Sequence, residues 1–223
     1  MRIAVVIPAL HEADRICAAV RSAREPEVDV IVADGGSVDA TGQRAEEEGA
    51  IVVRCEPGRA RQLAAGVAAA GPVDAFCFLH ADTSLPPGWS EAVRRALADP
   101  EVAGGAFTFR FSGEGARLRF IEAWVALRVR LFRLPYGDQA LFIRRPVLEA
   151  MGGVPQVPFM EDLDLVRGLR RHGRLALLEE AVHTSARRYE RRGFVRTVFR
   201  NLMALVAWRL GFDRERVAAW YRR

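Results

Sequence analysis

The sequence predicts an α/β fold built on a mostly parallel central sheet of the doubly wound type. Three observations carry this reading. Over the first hundred residues, short apolar runs alternate with helical patterns, the rhythm of strand–helix–strand units. Three of those runs are followed closely by an acid, Glu12, Asp34 and Asp82, where a parallel sheet would present the carboxyl ends of its strands. At 223 residues, half of them apolar, the chain is long enough for one sizeable core or two closely joined subdomains.

The elements follow in order. Residues 3–7 are a β-branched run broken by Pro8-Ala9-Leu10-His11-Glu12; a helix then reaches about Arg24, with Ile16, Ala19, Val20 and Ala23 on one face. A second strand at 28–33 ends in Asp34-Gly35-Gly36-Ser37. The paired glycines permit a tight turn and close ligand approach, and Ser37 or Asp39 can cap the polar helix that runs to about Glu48. Residues 50–54 make a third strand. Pro57-Gly58-Arg59-Ala60-Arg61-Gln62 opens an alanine-rich helix to Ala70, so poor in large side chains that it either packs very close to a sheet or lies beside a ligand. The fourth strand, 73–79, stops at His80-Ala81-Asp82-Thr83, and a helix after Pro86-Pro87-Gly88 ends near Asp99.

Beyond residue 100 the rhythm changes. Residues 104–111 alternate at period two, placing Phe107, Phe109 and Phe111 on one face. An arginine-rich amphipathic helix is expected over 118–134, a strand over 140–143 and a short helix over 146–151. After a Gly/Pro-rich break, Glu161-Asp162 opens a helix to about His172. A last edge strand follows at 175–178, then a helical tail over 192–209. No repeat or linker divides the chain, so residues 1–223 are expected to form one domain, with a ligand-binding half at 1–99 and a second half at 100–223.

Charge is unevenly spread. Residues 1–109 carry 10 arginines against 16 acids, residues 110–223 carry 23 against 12, and there is no lysine. A basic second half suits a phosphate-bearing substrate, an acidic membrane surface or nucleic acid, although no nucleic-acid recognition motif is present. Cys17, Cys55 and Cys77 lack metal-ligand spacing and read as reduced core thiols of a cytoplasmic protein. No stretch is long and apolar enough to span a membrane, and the strand pattern from Ile3 argues against a signal peptide.

The chemistry gathers at strand ends. His80 and Asp82 would project the same way from an extended chain, and a carboxylate there can hold a divalent cation against a phosphate. A core does not require acids at Glu12, Asp34 and Asp82. A nucleotide offers what they need: ribose hydroxyls and base N–H groups for two, a metal-bridged diphosphate for the third. Glu161 and Asp162 could simply match the helix dipole, or one of them could take a proton from an acceptor hydroxyl.

These residues resemble a known family. Val6-Ile7-Pro8-Ala9-Leu10-His11-Glu12 resembles the opening "vIPalNE" of family 2 glycosyltransferases, with His11 where Asn is usual. Asp34-Gly35-Gly36-Ser37-Val38-Asp39-Ala40-Thr41 is similar to their "DgGStDgT", and Gly58-Arg59-Ala60-Arg61-Gln62 to "GRarQ". His80-Ala81-Asp82-Thr83 resembles the "HADT" variant of the Asp-x-Asp metal motif, and Met160-Glu161-Asp162 the catalytic "mED". A small bacterial subgroup with a "TSaRRwerrG" segment, here starting at Thr184, is nearest.

The resemblance implies a GT-A fold, Rossmann-like with a small C-terminal acceptor-side subdomain, and inverting transfer from a UDP- or GDP-linked sugar with Mn²⁺ or Mg²⁺. It assigns Pro8, Ala9, Leu10, Glu12, Asp34, Gly35, Arg59, Gln62, His80 and Ala81 to the nucleotide. Asp82 is assigned to the metal, with His80 and His183 as candidate further ligands. His80 stands where most members carry an acid, and imidazole suits Mn²⁺ better than Mg²⁺. Asp162 or Glu161 would be the base, Asp162 preferred. Arg187 and Arg188 are candidates for neutralising the leaving diphosphate, and Asp138 for orienting the acceptor.

Two alternatives stand beside this reading: a nucleotidyltransferase, disfavoured by the lack of a lysine-bearing phosphate loop, and a non-catalytic nucleotide-sugar or membrane-associated module. Helical segments 118–134 and 194–212 are expected to be buried or to form a homodimer. The alternative is rest on the inner face of an anionic membrane, which would fit a lipid-linked acceptor.

Overall fold

The computed structural model describes residues 1–187, 189 and 193–222. Its spine is an eight-stranded sheet in the order β3-β2-β1-β4-β7-β6-β8-β5. Strands β1 (Ile3–Ala9), β2 (Val28–Asp34), β3 (Ile51–Arg54) and β4 (Ala75–Phe78) are mutually parallel. Strand β7 (Leu141–Arg144) runs against β4 and against β6 (Val102–Phe111). Strand β8 (Arg174–Thr184) lies parallel to β6, and the two-residue β5 (Thr83–Ser84) closes the edge antiparallel to it. The α/β reading therefore holds, with β7 and β5 as the two reversed strands.

Helices cover both faces because β1 is buried on both sides, as central parallel strands are. Ile3, Val5 and Ile7 pack with α1 (Ile16–Ala23) and α4 (Trp89–Leu97). Ala4 and Val6 face α3 (Arg59–Ala69) and, further along, α6 (Arg145–Ala150) and α7 (Glu161–His172). The alanine-rich α3 is seated directly on the sheet: a Cβ on Gly66 would collide with Val6. The remaining helices are α2 (Thr41–Glu47), α5 (Ala116–Phe132), α8 (Phe194–Arg209) and α9 (Arg214–Arg222).

Two expectations are corrected. The strand expected at 175–178 runs over Arg174–Thr184 and is interior. Glu179 and Glu180 interrupt its apolar run, but a register irregularity opposite Ala106 and Thr108 lets pairing continue to Phe111↔Thr184, and Glu180 meets Arg95 at 2.9 Å. Helix α5 and the tail are also less buried than expected. Glu122 anchors α5: its Oε1 accepts the Phe111 amide at 2.8 Å and its Oε2 the Arg110 guanidinium at 2.8 Å, while Arg119 lies 2.7 Å away. Burial works to raise the Glu122 carboxyl, but these donors outweigh it and hold it below the ordinary range. The apolar side of α5 is left facing out.

All three cysteines are free; Cys77 is buried, and burial pushes its thiol far up, which keeps it inert.

Candidate active site

A cleft of about 500 Å³ opens where the carboxyl ends of β1 and β4 meet the start of α3, the start of α7 and the end of β8. Pro8, Leu10 and Glu12 come from the β1 end, His80, Ala81 and Asp82 from the β4 end, and Arg59 and Gln62 from α3. Asp138, Glu161 and Asp162 face them, with Thr184, Ser185 and Arg187 at one side. The backbone is strained at its margin: His11, Ala140 and Met160 have φ of 56°, 46° and 61°. Non-glycine residues hold such conformations where the surrounding structure forces a side chain or turn into place.

The turn after β2 holds the turn after β1. His11 N donates to Ser37 Oγ at 3.0 Å and Glu12 N to Thr41 Oγ1 at 2.9 Å. Thr41 Oγ1 in turn donates to Asp39 Oδ1 at 2.5 Å, a bond that keeps the Asp39 carboxyl below its usual range. The N-cap residue of α2 is Ala40, without a side-chain bond; Asp39 Oδ1 accepts the amide of Thr41, the first residue of α2, at 3.1 Å, while Ser37 is used to fix the Glu12 loop. Glu12 presents its carboxylate between two arginines, with Oε1 3.1 Å from Arg187 Nη2 and Oε2 3.2 Å from Arg15 Nη1.

Not every expected residue lines the cleft. Among the described residues that do, Ala9, Asp34, Gly35 and His183 are absent. Asp34 is buried, its Oδ1 accepting the Ser37 amide at 2.9 Å. Gln62 lines the cleft but is largely buried, and it donates to the carbonyls of Ala9 at 2.7 Å and Ala33 at 3.0 Å, while Gly35 N donates to Ala9 O at 3.0 Å. These groups lace the ends of β1 and β2 together. A Cβ on Gly35 would stand 3.0 Å from Gln62 Nε2, so the glycine is what lets that lace close. His183 is exposed on β8 while its neighbour Thr184 turns inward, so strand alternation points the imidazole away from Asp82. Among the described residues no three His, Cys, Asp or Glu side chains converge as a metal-ligand cluster. Arg188 lies outside the described residues.

Arg59 is the hinge of the constellation. Its Nε lies 2.8 Å from Glu161 Oε1, and its Nη2 meets Nε2 of His80. A guanidinium only donates, so His80 Nε2 serves as the acceptor in this contact. Glu161 is buried, and burial raises its carboxyl above the usual range; Arg59 opposes this and neighbouring Asp162 adds to it. Asp162 is less enclosed. Its Oδ2 accepts Gly137 N at 2.7 Å and its Oδ1 accepts Leu163 N at 2.9 Å, which holds the carboxylate in place at the cleft that Asp138 also lines.

The far wall is aromatic and was not anticipated. Phe109, Phe111, Tyr136, Phe159, Tyr189 and Tyr221 all line it. The C-terminal helices hold it shut: Arg214 donates to Phe159 O at 2.9 Å and meets Asp164 at 2.9 Å, and Trp208 Nε1 donates to Asp164 Oδ1 at 3.1 Å. The Phe159 and Tyr221 ring centroids are 4.7 Å apart, and Tyr221 OH donates to Asn201 Oδ1 at 2.5 Å. A signal was available in Tyr136 between Pro135 and Gly137 and in Phe159 after Pro158, large aromatics in segments too irregular for a core.

Comparison with known proteins bears on these features. The family model described as "Glycosyl transferase family 2" matches residues 4–151, well over half the chain, and stops short of Glu161 and Asp162. No curated protein matches significantly. Among solved structures, glucosyl-3-phosphoglycerate synthase from Mycobacterium tuberculosis, in complex with Mn²⁺, UDP-glucose and phosphoglyceric acid, is similar at 23% identity and a TM-score of 0.68, over 95% of this chain and 80% of that one. The same enzyme with Mg²⁺ and UDP gives the same values. A further mycobacterial protein is similar at 26% identity and a TM-score of 0.59, over 82% of this chain and 65% of its own length.

Proposed function

The chain belongs to glycosyl transferase family 2, and on that premise we propose that it moves a sugar from a UDP- or GDP-linked donor to an acceptor hydroxyl with inversion, assisted by Mn²⁺ or Mg²⁺. The observation that carries this reading is the placing of Asp82 and Asp162 in one cleft, from the β4 end and the start of α7. In this reading residues 1–99 hold the nucleotide and residues 100–223 supply the acceptor side. Pro8, Leu10, Glu12, Arg59, Gln62 and Ala81 surround the nucleotide; Asp34, Gly35 and Ala9 act from behind, by fixing the strand ends.

Asp82 fits a cation site in which most ligands come from the donor's diphosphate, because among the described residues no three His, Cys, Asp or Glu side chains converge to hold the ion alone. The cation, when bound, would offset the charge that develops on the leaving diphosphate. The solved structures that contain Mn²⁺ or Mg²⁺ with UDP support this choice of cation. His80 holds Arg59 from one side while Glu161 holds it from the other.

Asp162 is the base. It accepts the acceptor's hydroxyl proton as that oxygen attacks the anomeric carbon from the face opposite the leaving diphosphate. Glu161, paired with Arg59, is spent on structure. Arg187, within reach of Glu12, supplies positive charge at the nucleotide end. Asp138 lines the same cleft as Asp162 and orients the acceptor. Release of nucleoside diphosphate from UDP- and GDP-sugars, assayed with Mn²⁺ and with chelator, tests the reading. Metal-dependent release from one donor supports it, and nucleoside monophosphate release or inert donors would refute it.

A further inference from the structure

We infer that the outer face formed by α5 and α8 docks on an anionic lipid bilayer, beside the acceptor end of the cleft. This goes beyond the transferase reading and does not depend on the identity of the donor.

The face is apolar where a surface helix is normally polar. On α5, Phe120, Trp124, Leu127 and Leu131 recur at helical spacing and are exposed, Phe120 by 66%. On α8 and its end, Val195, Phe199, Leu202, Val206 and Leu210 repeat the pattern, Val195 exposed by 78%. The two helices join through one aromatic group: the Tyr189 ring lies 5.3 Å from Phe111 under α5 and 6.3 Å from Phe194 at the start of α8. Phe111 and Tyr189 also line the cleft, so the exposed face adjoins its aromatic wall.

Charge selects the occupant. Arg117, Arg130, Arg133, Arg196 and Arg209 are exposed around these stripes. The single acid of α5 is Glu122, buried against β6, and α8 has none. A second copy brought onto this face by a two-fold axis would set the arginines against one another. Acidic headgroups would pair with them while the aromatic and aliphatic side chains enter the acyl boundary. The helices lie on the bilayer rather than cross it: α5 has 17 residues, about 25 Å of helix, short of a hydrocarbon core of about 30 Å. No described helix is long and apolar enough to span.

The test is co-sedimentation of the full chain with vesicles containing phosphatidylglycerol, or phosphatidylcholine alone, at low and high salt, with donor hydrolysis assayed on the same samples. Binding to the phosphatidylglycerol vesicles is expected, weakened by salt. The W124S/F199S and R130E/R209E pairs should each lower it ~10-fold or more while leaving donor hydrolysis unchanged. Equal binding to both lipids, wild-type binding by W124S/F199S, or no binding would overturn the inference. So would a wild-type dimer that W124S/F199S converts to monomer. Retained hydrolysis in a non-binding protein would place the failure in the docking, not in the transferase reading.

Discussion

Arg59 Nε stands 2.8 Å from Glu161 Oε1, so the first residue of α3 is tied across the cleft to the first residue of α7. The pair spans the two halves of the chain, and it fixes the start of α7, where Asp162 faces the cleft. Two proposed functions thus share one mechanical link: the nucleotide side and the base cannot drift apart while it holds.

Removing Arg59 leaves Glu161 buried without its partner. R59A is expected to cost about 1–3 kcal/mol, less than a fully buried pair because Arg59 is partly exposed. The R59A/E161Q double variant should recover part of that loss, since no buried charge is then left unpaired. Urea unfolding of the cycle checks this; full additivity would show that the two side chains do not interact.

Glu161 also sets a pH signature. Its folded-state carboxyl is raised by burial, so between the unfolded and folded values the native state binds the proton more tightly. Stability from this group is therefore full below the ordinary carboxylate value and declines as pH rises through the folded one. The melting temperature of E161Q relative to wild type should improve from acid to neutral pH. A difference that worsens over that interval would mean Arg59, not burial, governs the group.

Close seating of α3 makes a third prediction. A methyl at Gly66 would collide with Val6, so G66A is expected to cost about 1–3 kcal/mol despite the better helix propensity of alanine. At roughly 2–4 °C per kcal/mol, calorimetry resolves this readily. An unchanged melting temperature would contradict the packing.

How much was legible follows from which forces act locally. The β-branched runs and the alanine-rich helix announced β1, β2 and α3 because burial on both sheet faces writes continuous apolar strands and small-residue helices. The acids at Glu12, Asp82 and Asp162 were legible because a core has no use for them. Asp34 was read as ligand-facing although its side chain is buried against the Ser37 amide. Gln62 was read the same way, but that its amide also laces the ends of β1 and β2 depends on contacts across 29 and 53 residues. The inward role of His80 was hidden for the same reason: its partner Arg59 is 21 residues away. The length of β8 was obscured by Glu179 and Glu180, which side chains on the solvent face tolerate. The aromatic wall was missed because its members come from β6, two loops, the stretch after β8 and the last helix, with no common period.

The central claim is that Asp82 and Asp162 serve one bound donor in different ways. Calorimetric titration of UDP and GDP, with and without Mn²⁺, into wild type, D82N and D162N tests it directly, with sugar transfer or donor hydrolysis measured in parallel. The account predicts metal-dependent nucleotide binding in wild type, weakened ~10-fold or more in D82N, and retained in D162N, whose turnover falls by ~10²–10⁴. Unaltered metal-dependent binding in D82N, or full turnover in D162N, would contradict it.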